Sequence, residues 1–106
     1  MTYEQINEMM QEMELPFAYH HYAEGESPEP PFLLFLSPGE NTFSADNSMY
    51  FSSKMLDIEL YTDDKDWELE KKLEEILDKH DIAWEQTASE WLESEKMWES
   101  LYEMEV

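Results

Sequence analysis

Twenty-seven Asp and Glu residues stand against six basic ones, which leaves a formal net charge of -21 on 106 residues. Like charges at that density push a compact chain apart, so folding requires enough apolar burial to offset the repulsion. The means are present: 42% of the residues are hydrophobic, including four Trp, six Tyr and five Phe, which is far too rich for a disordered acidic tail. A chain of this length has room for one modest core, so a single domain over residues 1–106 is expected.

The charge also sorts the partners. Phosphate backbones and anionic headgroups are repelled, which argues against direct binding of DNA, RNA or a membrane surface. All six cations are lysines (Lys54, Lys65, Lys71, Lys72, Lys79 and Lys96). With no guanidinium to grip a carboxylate or phosphate in bidentate fashion, anionic substrates are disfavoured too. The absence of Cys removes disulfides, thiolate catalysis and sulfur-based zinc sites. MTYEQINEMM carries acids where a signal peptide needs a basic patch, and no apolar run approaches a membrane span. The expectation is a soluble cytosolic product.

Hydrophobic periodicity then orders the elements. In TYEQINEMMQEM, Thr2 and Gln5 have capping-box spacing, while Ile6, Met9, Met10 and Met13 form one stripe, which predicts a short helix ended by Leu15 and Pro16. FAYHHYAEGESPEPP can begin as an extended strand and must end as a loop. FLLFLSPG reads as a strand buried on both faces. Asn41 to Thr62 reads as a long hairpin turning near Asp46-Asn47-Ser48, its last part alternating Leu56, Ile58 and Leu60 with Asp57, Glu59 and Tyr61. DWELEKKLEEILDKH is a helix with acids at its start, Lys79 and His80 at its end, and Glu68–Lys72 and Glu75–Lys79 as i,i+4 pairs. Ile82 to Val106 closes the chain as a hairpin turning near Glu93-Ser94-Glu95. The sum is an α+β fold, an antiparallel sheet with two helices on one face, in the order α-β-β-β-α-β-β.

No residue constellation calls for chemistry. His20 and His21 are neighbours that an extended chain would point to opposite sides, so they do not make a metal site. Asp63-Asp64-Lys65-Asp66 lacks the Gly and the distal Glu of a calcium loop and reads as helix capping. Two carboxylates at catalytic separation are unavoidable among so many acids and signify nothing by themselves. Nucleophile elbows and Gly-rich phosphate loops are missing, so neither an enzyme nor a cofactor is expected. The unusual feature is a surplus of large rings, more than a core this size encloses, and surplus rings mark interfaces.

Three strings, PFAYHHYAEGESPEPPFLLFL, LDIELYTDDKD leading into a helix, and SEWLESEKMWESLYEMEV, resemble in their order the small tail proteins of long-tailed phages and prophages, from the head-to-tail joining region. The closest type is the tail terminator, or tail completion, protein. The resemblance implies an α+β subunit that closes into a ring, commonly a hexamer, at the head-proximal end of the tail tube. Its partners would be the tube protein and the head connector, with DNA passing through the lumen, and its place the virion after assembly in the host cytoplasm. An acidic lining lets phosphates slide, and ring closure needs two different patches on each subunit. A subunit of charge -21 is expected to be a monomer or weak oligomer when alone. Composition and polarity nominate Tyr19, Tyr22, Glu24, Glu26, Glu29, Glu40, Asn41, Phe43 and Asp46 as contact residues. Two alternatives stay open, an acidic DNA mimic that blocks a DNA-binding protein and a head-completion (stopper) protein of the neck.

Overall fold

The computed structural model describes residues 1–38 and 54–106. Two helices and five strands follow in the order α1 (Tyr3–Gln11), β1 (Phe17–Tyr19), β2 (Phe32–Leu36), β3 (Met55–Thr62), α2 (Trp67–Lys79), β4 (Trp84–Leu92) and β5 (Met97–Glu105). The strands form one sheet ordered β1-β2-β3-β5-β4. Both helices bury their stripes in one cluster with Leu33, Phe35, Leu56, Ile58, Leu60, Tyr102 and Met104, which all lie on the same face of the sheet. The fold is therefore the expected α+β arrangement. The expected hairpin turn and the strand at NTFSAD fall outside the described residues.

One pairing departs from the antiparallel expectation. β1 runs parallel to β2, with Phe17 opposite Leu33 and Tyr19 opposite Phe35. Residues 20–31 connect them, and a connection of about a dozen residues is what parallel neighbours need, whereas a tight turn joins only antiparallel ones. The Pro-punctuated loop expected in this segment is thus long enough to return the chain for parallel pairing.

Local chemistry explains the helices. The Thr2 side chain accepts from the Gln5 N–H at 3.1 Å, and the Gln5 side chain accepts from the Thr2 N–H at 2.8 Å, completing the capping box. Asp66 caps α2 by accepting from the Leu69 N–H at 3.0 Å. Lys72 and Lys79, read from spacing as partners of Glu68 and Glu75, reach instead to α1: Lys72 Nζ donates to the Met13 carbonyl at 2.9 Å, and Lys79 pairs with Glu12. His80 Nε2 lies 2.7 Å from the other Glu12 oxygen. Lys72 from the middle of α2, and Lys79 and His80 from its end, therefore latch the C-terminal side of α1, a use that i,i+4 counting within one helix does not reveal.

Candidate interaction surfaces

Register places two chemically different surfaces on the molecule. The face opposite the helices, called here the outer face, is built from the alternate residues of every strand. Cross-strand rows run Leu36–Asp57–Glu103–Glu85, Leu34–Glu59–Leu101–Ala88 and Phe32–Tyr61–Glu99–Glu90, with Met97 and Leu92 beyond them at the turn. Like charges directly opposite each other repel. Here Asp57, Glu103 and Glu85 stand in one row, Glu99 and Glu90 in another, and no residue that the strands turn to this face is basic. The expected period-two alternation is present, but its outward half is not simply solvated.

Tyr61 sits at the centre. Its ring stacks on Phe32 at 5.0 Å, and Tyr22 meets Phe32 edge-on from the other side at 5.6 Å. Phe32 is consequently buried although it points away from the core. The Tyr61 Oη lies 2.7 Å from Glu59 Oε1 and 2.8 Å from Glu99 Oε2. One hydroxyl has one proton to donate, so it cannot hydrogen-bond two ionised carboxylates at once. Burial, then the two carboxylates it bonds, push the Tyr61 phenol far above its ordinary range.

Burial also raises the Glu59 carboxyl against the lowering bond from Tyr61, with Glu99 and Asp57 adding to the rise and His20 subtracting from it. Asp57 is raised by burial and by Glu103, and its Oδ1 is buried with no hydrogen-bond partner among the described residues. Tyr22 Oη is in the same condition, and burial raises its phenol. Two orphaned polar atoms thus belong to one face.

These directions fix a pH dependence. Carboxylates whose folded pKa is raised cost stability while ionised, and that cost disappears as pH falls through the folded value toward the ordinary carboxylate value near 4. Glu12, lowered by Lys79 and then His80, acts in the opposite sense and loses its contribution only below that value. Thermal stability is expected to rise as pH is lowered from 7 toward about 5. The Asp57→Asn/Glu59→Gln variant should melt higher than wild type at pH 7 and show a flatter profile, as followed by circular dichroism. A steeper profile in the variant would mean that these two groups are not the origin.

The second surface is apolar and lies at the sheet edges. Beside β1, Tyr3 and Tyr19 form one side of a concavity of about 480 Å³ that runs across the strand ends to Lys54, Met55 and Val106 and is floored by Ile6, Phe35 and Leu56. Tyr3 and Tyr19 are 52% and 43% exposed. At the opposite edge, Trp91 on β4 is 42% exposed, and Trp67 at the start of α2 is 72% exposed.

The nominated residues distribute unevenly over these surfaces. Tyr19 belongs to the β1 edge, where it meets Phe35 edge-on at 5.3 Å and its hydroxyl accepts from the Ser37 N–H at 3.1 Å. Tyr22 belongs to the outer face, because the chain reverses at His20, whose φ is +69°. Glu24, Glu26 and Glu29 are exposed on the connecting loop and join neither surface. Glu40, Asn41, Phe43 and Asp46 lie outside the described residues. The same reversal corrects the reading of His20 and His21: their rings meet edge-on, with the Nδ1 atoms 3.1 Å apart, rather than pointing to opposite sides. Among the described residues no group of three His, Asp or Glu is placed to hold a metal ion, and no helix is long and apolar enough to cross a membrane.

Inside the core face lies a polar network that spacing does not announce. Glu70, only 5% exposed, accepts from Lys65 Nζ at 3.0 Å, Gln86 Nε2 at 2.8 Å and Ser100 Oγ at 3.1 Å. Gln86 also donates to the Tyr102 hydroxyl at 3.1 Å, which donates to Glu74 at 2.7 Å. Both Glu70 oxygens are occupied, and the network fastens α2 to β4 and β5. Compared with protein-family models, curated proteins and solved structures, the chain matches none.

Proposed function

We propose that this chain is a structural tail protein of a long-tailed phage or prophage, of the tail-terminator type. It would form a ring at the head-proximal end of the tail tube, end tail polymerisation and join the head connector. The observation that carries this reading is the unlike exposed rings at the two ends of the strand order, Tyr3 and Tyr19 beside β1 and Trp91 on β4, with Trp67 exposed at the start of α2. A closed ring is made by heterologous contacts, in which a patch on one copy meets a different patch on the next. Edge-to-edge packing of a concave patch against protruding indoles satisfies that requirement. The acidic surface suits a conduit, since carboxylates do not retain a passing phosphate backbone. The ordered strings that resemble tail proteins agree with it.

Deletion of the gene and electron microscopy of the particles test the reading. Loss of a terminator gives tails of abnormal length, restored by the wild-type gene but not by Tyr3→Glu or Trp91→Glu, each of which charges one patch. Tails of normal length with filled, leaking heads would instead identify a stopper. Alone, the subunit should scatter light as a monomer or weak oligomer at low salt, where repulsion is least screened. A stable hexamer under those conditions contradicts that expectation.

A further inference from the structure

We propose that the outer face of the sheet is a docking surface for a different protein, one whose contact patch interleaves Arg or Lys with aliphatic side chains. The proposal goes beyond ring formation, because it concerns the face that edge-to-edge contacts leave uncovered, and it applies to the lone subunit.

The face has the chemistry of an interface. A groove of about 380 Å³ runs between the connecting loop and the β4–β5 turn, lined by Tyr22, Phe32, Leu34, Tyr61, Leu92 and Met97. Its apolar floor continues through Leu101 to the carboxylate rows. Protein interfaces combine such an apolar core with a polar rim. The occupant follows from charge complementarity. Six carboxylates, Asp57, Glu59, Glu85, Glu90, Glu99 and Glu103, project from this face with no cation from the strands between them.

The buried Asp57 Oδ1 has no donor, and the Glu59 and Glu99 carboxylates share the one proton of the Tyr61 hydroxyl, so these acceptors are short of donors. A guanidinium supplies several donors in one plane and a positive charge, which answers both deficits. A second copy of this chain is a poor occupant. It brings the same net charge of -21 and no Arg. Duplex DNA is poorer still, because phosphates would meet carboxylates. The leucines between the carboxylates call for aliphatic partners, which a protein surface provides.

Docking should also expel protons. Asp57 faces Glu103 and Glu85, while Glu59 faces Tyr61, Glu99, Asp57 and His20. A cation placed among them favours the ionised forms, so binding and deprotonation are linked.

Calorimetric titration of the full chain tests this with a short synthetic peptide alternating arginine and leucine, and a glutamate–leucine peptide as control. Glu59→Gln/Glu99→Gln/Glu103→Gln should weaken arginine–leucine binding about tenfold or more. Glu4→Gln/Glu8→Gln/Glu68→Gln, which removes the same charge from exposed helix positions, should change it less than about threefold. Titration in two buffers of different ionisation enthalpy should register proton release with the wild type and less with the outer-face variant. Amide shift perturbations should centre on Phe32–Leu36, Asp57–Tyr61 and Glu99–Glu103. Equal weakening in both variants, perturbations centred on the helices, or self-association through Leu34 and Leu101 seen by light scattering would each overturn the proposal.

Discussion

Glu70→Ala is expected to destabilise the fold by about 3–5 kcal/mol, the range for removing one partner of a buried, hydrogen-bonded ion pair. Three donors lose their acceptor at once: Lys65, Gln86 and Ser100. Ser100 is 1% exposed and cannot turn to water. Lys65 has an escape, because its side chain retains 20% exposure and stands over the rings of Trp67 and Trp98. The loss should therefore fall at the lower end of the range. Even so, about 3 kcal/mol lowers Tm by more than about 10 °C in a chain of this size.

Glu70→Gln keeps the shape and one acceptor oxygen, and its amide can donate to Ser100 Oγ. It should cost about 1–3 kcal/mol. Urea unfolding of the two variants separates the charge from the shape. Equal, small losses would show that the network contributes little and that apolar packing alone holds α2 to β5. A Lys65→Met/Glu70→Leu double variant completes the test. If it is less destabilised than Glu70→Ala, the penalty lies in the orphaned donors rather than in the missing pair.

The network also marks the limit of what spacing conveys. Stripes that repeat every three or four residues place Leu69, Leu73, Ile76 and Leu77 in the core; the last three are buried there, and Leu69 packs against them partly buried. Alternation assigns Leu56, Ile58 and Leu60 to one face, and they too are buried. Glu70 lies on the buried side of α2 as well, yet a carboxylate in an apolar stripe becomes intelligible only when Lys65, Gln86 and Ser100 are brought to it from three other segments. Strand alternation shows which residues share a face but not which carboxylate meets which. The row Asp57–Glu103–Glu85 depends on the pairing of β3 with β5 and of β5 with β4, a long-range property. Residue type hid other features. His20 is not a glycine, so its left-handed backbone, which separates Tyr19 from Tyr22, carries no signal in composition. The exposed rings were legible as a surplus of aromatics. Their division between sheet edges and outer face was not, because it follows from the strand order β1-β2-β3-β5-β4.

Phe35→Ala should cost about 3–5 kcal/mol as a large-to-small core change, and the damage should be local before it is global. Phe35 is 1% exposed, with Tyr3, Phe17 and Tyr19 around it at 5.9, 6.1 and 5.3 Å between ring centroids. Two of those rings come from β1 and one from α1, so a single side chain on β2 anchors both. Besides those ring contacts and its pairing with β2, β1 has only the bond from the Ser37 N–H to the Tyr19 hydroxyl and a few main-chain ties to hold it among the described residues. It is three residues long, and its ends are tied by the Leu33 N–H to the Pro16 carbonyl at 3.0 Å and the His20 N–H to the Phe35 carbonyl at 2.8 Å. Removing the ring should release β1 and the start of α1 while β3, β4 and β5 stay paired. Hydrogen exchange reads this directly, as lost protection at Ile6–Met10 and at His20 with little change at Ile58 or Tyr102. Phe32→Ala is the matched control. It removes the same ring three residues away but from the outer face, where its neighbours are Tyr22 and Tyr61. Protection in α1 should survive that change. If both variants lose α1 protection equally, the two faces of β2 are coupled and the aromatic patch beside β1 has no anchor of its own. If only Phe35→Ala does so, the patch offered for ring closure rests on one buried ring, and weakening it should impair ring closure while leaving the outer face able to bind.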